Sequence, residues 1–163
     1  MENIILIGMM GCGKTTCGAL LAQRLGRELV DTDALIEQRE GMAIPELFAQ
    51  KGEDYFRARE LDAARALARR TGLVVACGGG LPLSHGAMSA LKGSGTVVFL
   101  RRDPGETFDT VPMGGRPLAQ AGRAAFVARF REREPVYLGW ADLIVRDFSS
   151  PEATVNAIME GIE

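Results

Sequence analysis

Eight consecutive residues, Gly8-Met9-Met10-Gly11-Cys12-Gly13-Lys14-Thr15, fit the pattern G-x-x-x-x-G-K-[ST], whose chemistry is the holding of a polyphosphate. Glycines at 8, 11 and 13 let the backbone curl so that successive N–H groups point at phosphate oxygens. Lys14 then reaches the β- and γ-phosphates, and the Thr15 hydroxyl ligates Mg²⁺. Asp31-Thr32-Asp33 offers two carboxylates one residue apart. One can hold the metal through water while the other orients or deprotonates a hydroxyl acceptor. Each Asp alone is also an ordinary helix N-cap, Asp33 for the helical-looking residues 34–39. Arg57 and Glu60, three apart on a helix, share a face, so Glu60 can hold the guanidinium as a bidentate receptor for a carboxylate. A solvated surface ion pair is the plainer reading of that spacing. Gly78-Gly79-Gly80 presents backbone without side chains, on which a small ligand can lie directly.

These groups need elements to position them. Residues 4–7 form a short aliphatic run ending at Gly8, which reads as a strand buried on both faces, and residues 15–25 follow helical spacing with Gly26 as a stop. That strand-to-helix context is the one the phosphate loop requires. A second strand at residues 29–30 runs into Asp31, and residues 34–39, 44–50 and 56–70 read as three helices. Further apolar strands at 73–76, 97–100 and 143–145 are separated by segments long enough for crossover helices, which points to a parallel sheet covered on both faces. Residues 103–122, with three Pro and four Gly, interrupt the pattern as an irregular insertion, and helices are expected again at 124–137 and 152–162. Lone His85 reads as an ordinary loop residue.

Composition narrows the class. The 163 residues suit one domain, and 47% hydrophobic with 25% charged residues is an ordinary globular mix. A net charge of −2 supplies no broad positive field for nucleic acid or an anionic bilayer, so neither is an expected partner. Three Cys at 12, 17 and 77 form neither a disulfide framework nor a zinc pattern and read as buried fillers; Cys12 and Cys17 leave a redox role open. With no secretory signal and no run of about 20 apolar residues, a cytoplasmic protein is expected. Twenty Gly against seven Pro raise the choice between loose linker and backbone set against a ligand, and the positions at strand ends favour the second. An Asn-Lys-x-Asp guanine motif is absent, and strand 73–76 ends in Cys77 and glycines rather than the Asp usual in motor or transport ATPases. A small-molecule kinase is the leading class.

The ordered set GMMGCGKTT (8–16), DTD (31–33), GE followed by FRARE (52–60), GGG (78–80), RPL (116–118) and REPVY (133–137) resembles shikimate kinase across almost the whole chain. The resemblance implies a three-layer αβα, P-loop kinase fold with five parallel strands in the order 2-3-1-4-5. It implies a single domain over 1–163, a substrate-binding segment at about 32–60 and a mobile lid at about 108–121. It also implies ATP-dependent, Mg²⁺-assisted phosphorylation of the 3-hydroxyl of shikimate, in the route to aromatic amino acids, by a monomer. Lys14, Asp33 and Arg116 would then be catalytic, with Asp33 the candidate base and Arg116 the lid cation on the transferring phosphate. ATP would be bound by Gly11, Cys12, Gly13, Lys14, Thr15, Thr16, Arg116 and Pro151, and the metal by Thr15 and Asp31. Shikimate would meet Asp33, Arg57, Glu60, Gly78, Gly79, Gly80 and Arg133, the two arginines clamping its carboxylate.

Two departures from the family pattern bear on ATP. Basic residues that begin the lid and stack on adenine are replaced by Phe108-Asp109-Thr110-Val111-Pro112-Met113, and the basic residue before the adenine-loop proline by Phe148, Ser149 and Ser150. Phe108 or Phe148 is therefore the expected stacking group. The alternatives are a kinase for another small hydroxy acid such as gluconate, and a nucleotide-binding relative with weak or no turnover.

Overall fold

Strand β1 (Asn3–Ile7), four aliphatic residues after Asn3, is buried at every position, as a strand between two neighbours and two helical layers must be. β2 (Glu28–Asp31), β3 (Leu73–Ala76), β4 (Gly95–Leu100) and β5 (Leu143–Val145) complete a five-stranded sheet of order β2-β3-β1-β4-β5, in which every pairing is parallel. The computed structural model describes residues 1–110 and 122–163.

Alternation along the strands creates the two outer layers. Ile5, Ile7, Val75, Val97 and Phe99 face one way, toward α3 (Ile44–Ala68), α4 (His85–Ser94) and α6 (Arg123–Trp140), through Leu67, Leu91, Phe126, Phe130 and Tyr137. Ile4, Leu6, Val74, Val98 and Leu100 face the other way, toward α1 (Lys14–Leu25) and α7 (Pro151–Ile162), through Leu21, Val155 and Ile158. Under α2 (Thr32–Glu40) and α3 a third cluster forms from Ile36, Leu47, Phe56 and Ala63, with the Phe48 and Phe56 rings 4.8 Å apart. Fully buried Asn3 ties β1 to three other segments: its amide donates to Arg70 O (2.9 Å) and Ser94 Oγ (3.2 Å), and its carbonyl accepts from Leu73 N (2.9 Å). None of the helices among the described residues is long and apolar enough to cross a membrane.

α3 is two helical stretches, in keeping with the helices expected at 44–50 and 56–70, that meet in a kink at Gly52, whose φ of 85° and ψ of 170° suit glycine alone. Several boundaries differ from the sequence reading. The insertion expected from 103 onward begins with a regular helix, α5 (Pro104–Thr110): Pro104 supplies a preset φ, and Asp103 Oδ1 accepts from Glu106 N at 2.8 Å. His85 opens α4 rather than lying in a loop, its ring 5.4 Å from that of Trp140. Arg116 and most of the segment read as a lid lie outside the described residues.

Gly52→Ala is expected to lower unfolding free energy by about 1–3 kcal/mol, because alanine is strained in that conformation. Gly93→Ala, in α4 where a Cβ meets nothing within 4 Å, is expected to raise it by about 0.5–1 kcal/mol. Urea titration of both variants checks the contrast.

Candidate active site

The phosphate loop, the Asp31–Asp33 triplet and the triglycine lie at the carboxyl ends of β1, β2 and β3, the edge at which open α/β sheets bind ligands, while Arg57, Glu60 and Arg133 are supplied by α3 and α6. Past β1, Gly11 (φ 80°) and Gly13 (φ 100°) turn the chain so that α1 begins at Lys14, the geometry that aims helix N–H groups at an anion. The Lys14 ammonium lies across the loop and donates to Gly8 O at 2.5 Å and Met9 O at 2.9 Å.

After β2, each residue of the Asp31-Thr32-Asp33 triplet has its own partner. Asp31 caps α2, accepting from Ala34 N at 3.0 Å through one oxygen, and accepts from the Thr15 hydroxyl at 3.1 Å through the other. The N-cap assigned above to Asp33 is thus Asp31, because β2 extends through Asp31 and the helix starts one residue later. Buried Thr32 accepts from Gly78 N at 2.9 Å. Asp33 lies so close to Gly78 that a Cβ there would collide with its carboxylate. Burial, then the neighbouring Asp31 and Glu60 charges, push the Asp33 carboxyl up to about 6, with Lys14 opposing.

After β3, Gly79 and Gly80 each lie against an arginine. A Cβ on Gly80 would stand 2.9 Å from Arg57 Nη2, and one on Gly79 would stand 3.5 Å from Arg133 Nη1. Arg57 Nη1 donates to Glu60 Oε1 at 2.8 Å. The Glu60 side chain is only 1% exposed, so this is not the solvated surface pair that spacing alone allowed. Burial raises the Glu60 carboxyl while the Arg57 hydrogen bond and charge lower it, burial being the larger effect. Arg133 Nη1 donates to Met9 Sδ at 3.9 Å, while the Tyr137 hydroxyl gives its one proton to Gly79 O at 2.7 Å and lies 3.5 Å from Met9 Sδ. Trp140 Nε1 donates to Pro82 O at 2.9 Å, bracing the short 3₁₀ turn (Leu81–Leu83) that follows the glycines.

A cavity of about 430 Å³ runs between these loops, lined by Met10, Lys14, Thr15, Asp31, Asp33 and Gly78 among others. On the other side of residues 11–13 a cavity of about 300 Å³ is lined by Cys12, Thr16, Arg102, Phe148 and Pro151. Of the two phenylalanines expected to stack on adenine, Phe148 lines this cavity. Phe108 does not: it packs into the core with its ring 5.7 Å from Phe126, because α5 turns it inward. Cys12, Cys17 and Cys77 are free and buried, and burial raises the thiols of Cys17 and Cys77, as fillers require.

A family model for shikimate kinase matches residues 10–163. The chain belongs to the shikimate kinase family. A shikimate kinase of Sulfurihydrogenibium sp. (strain YO3AOP1) is 38% identical over 100% of this chain and 99% of that protein. That of Chromohalobacter salexigens is 41% identical over 98% and 91%. The solved shikimate kinase of Acinetobacter baumannii, in complex with shikimate, superposes with a TM-score of 0.92 at 34% identity, covering 99% of this chain and 93% of that one. A gluconokinase from Sinorhizobium meliloti, at 17% identity and a TM-score of 0.60, shares the fold alone. The shikimate kinase family membership makes this chain an ATP-dependent phosphotransferase with the five-stranded P-loop kinase fold.

Sequence reasoning passed over Arg102, Met9 and Tyr137. Arg102 carried a usable signal, a cation two residues past a buried apolar strand at the ligand-binding edge. The Met9 contacts had none, since they depend on how α6 packs.

Because the folded-state value of Asp33 lies above the ordinary carboxylate value, its contribution to stability is full below about pH 4 and is lost as pH rises through about 6. Asp33→Asn is accordingly expected to raise the thermal midpoint at pH 8 more than at pH 4, which differential scanning calorimetry at the two pH values checks.

Proposed function

We propose that this chain transfers the γ-phosphate of ATP to the 3-hydroxyl of shikimate, yielding shikimate 3-phosphate and ADP in the route to aromatic amino acids. The observation that carries the reading is the convergence of Asp33, Arg57 and Arg133 on Gly78–Gly80, beside the phosphate loop, in a chain of this family.

Gly11, Gly13 and the start of α1 present N–H groups to the phosphates, and Lys14 leaves the Gly8 and Met9 carbonyls to meet the β- and γ-oxygens. Thr15 and Asp31, already in hydrogen-bond contact, are the residues that would hold Mg²⁺. No cluster of three or more His, Cys, Asp or Glu suited to a metal occurs among the described residues, and this sparse oxygen set fits a cation that keeps waters and phosphate oxygens as its other ligands. When bound, Mg²⁺ neutralises charge on the phosphate oxygens.

The planar guanidinium of Arg57, fixed by Glu60, and that of Arg133, both against the triglycine, grip the shikimate carboxylate. The ring then lies on bare backbone with its 3-hydroxyl toward Asp33. A carboxylate raised to about 6 is still ionised at neutral pH, yet basic enough to accept the hydroxyl proton as the phosphoryl group arrives. Arg116 takes the role of neutralising the transferring phosphate, as the RPL motif suggests. All of these groups come from one chain, so a monomer suffices.

Purified protein is expected to form ADP in a shikimate-dependent manner with Mg-ATP; absence of that dependence refutes the reading. Asp33→Asn is expected to lower kcat about 10²- to 10⁴-fold with little change in ATP affinity. In the parent protein kcat/KM for shikimate should fall as pH drops through about 6. Arg57→Ala and Arg133→Ala should raise KM for shikimate while the dissociation constant for ADP stays near that of the parent, which initial-rate kinetics and calorimetric titration check together.

A further inference from the structure

Two cavities share a wall on the side of the phosphate loop away from the acceptor. One, of about 300 Å³, lies between residues 11–13 and the start of α7; the other, of about 380 Å³, lies between the ends of β4 and β5. Arg102, Phe148 and Ser149 line both. The Arg102 guanidinium carbon sits 5.9 Å over the centre of the Phe148 ring. Its side chain is 20% exposed, and its polar contacts are peripheral: Glu106 Oε1 at 3.5 Å and Thr110 Oγ1 at 3.4 Å, both through Nη2. Its Nε is buried without a hydrogen-bond partner among the described residues.

Neighbouring Arg101 also lines the cavity between β4 and β5 but not the one beside the phosphate loop. Residues leaving a strand alternate sides, and Arg101 turns toward α6, where it pairs with Glu134 at 2.6 Å and lies over Phe130. Residues 103–115 contain no Lys or Arg. Arg102 is therefore the cation that β4 itself delivers to the cavity beside the phosphate loop, ahead of any basic residue in the segment that follows.

We propose that Arg102, paired with Phe148, holds the flat face of the nucleotide base. A planar cation next to an aromatic ring suits a third planar group, whereas the phosphates are served by Lys14 and Thr15 in the cavity on the opposite side of the loop. Stacking of this kind reads planarity rather than base edges, so it supplies nucleotide affinity with little choice among purines. The inference rests on the reading that the phosphate loop holds ATP and is independent of the identity of the acceptor.

The test is calorimetric titration of the full chain, without shikimate, with two probes that share phosphates but not a base: ADP and inorganic tripolyphosphate. Arg102→Met and Phe148→Leu are expected to weaken ADP binding about tenfold while tripolyphosphate binding changes less than about twofold. Arg101→Met, which removes the same charge one residue away, should leave both near the parent values. Equal weakening of both probes by Arg102→Met would make Arg102 a phosphate contact and overturn the proposal, as would ADP binding indifferent to Arg102. A parent chain that binds neither probe would overturn the nucleotide reading itself, while failed shikimate turnover with intact ADP binding would touch only the acceptor assignment.

Discussion

The site depends on a single constraint of backbone pairing: β1 is hydrogen-bonded on both sides, with Leu6 opposite Ala76 of β3 and Val98 of β4. Because parallel strands all point the same way, that register brings the chain just past each of them to one edge. Gly8, Gly78 and Arg101 therefore emerge side by side without long loops to order. Asn3, buried at the opposite end of β1 and bonded to β3, α3 and α4, fixes that register from below. A slip of one residue would turn every strand side chain to the wrong layer and also part the phosphate loop from the glycines.

Charge is distributed around this edge in a way that sacrifices stability for chemistry. Burial, then the charges of Asp31 and Glu60, raises the proton affinity of Asp33, and Lys14 opposes them; burial likewise raises Glu60, opposed by Arg57. A buried ion pair such as Arg57–Glu60 gains little net energy, since the desolvation of both charges offsets most of their attraction. What the pair gains is orientation: a guanidinium with few accessible rotamers, seated against Gly80 where any side chain would displace it. Removing Arg57 would leave the Glu60 charge buried and unpaired, whereas Arg57, 30% exposed and 3.7 Å from Glu53, would lose orientation more than pairing if Glu60 were removed.

The strand at 73–76 was legible to the residue because a parallel strand covered on both faces is an uninterrupted apolar run, and the one at 143–145, though an edge strand with Ile144 exposed, was legible because its three aliphatic residues stand between polar neighbours. The phosphate loop was legible because its glycines answer a steric demand. Legibility failed where tertiary packing decided. Pro104 and Gly105 looked like breakers, yet proline at a first helical position is stabilising, and Phe108 found a partner in Phe126 that no local pattern announces. The capping role in the Asp31–Asp33 triplet went to the earlier residue because the end of β2, which spacing leaves loose by a residue or two, determines which carboxylate faces α2. Arg133 had no task from spacing at all. Its placement against Gly79 comes from α6 crossing the sheet, with Tyr137 one turn on anchoring the same loop.

The bracing of the 3₁₀ turn by Trp140 carries an optical consequence. This is the chain's one tryptophan, its indole N–H is bound to the Pro82 carbonyl two residues past the triglycine, and its ring faces His85. An indole's emission maximum and yield follow the polarity and hydrogen bonding around it. The chain thus carries a built-in fluorophore on the wall of its acceptor loop, so that occupancy of that loop can be followed by emission from the unmodified protein, with no second indole to dilute the signal.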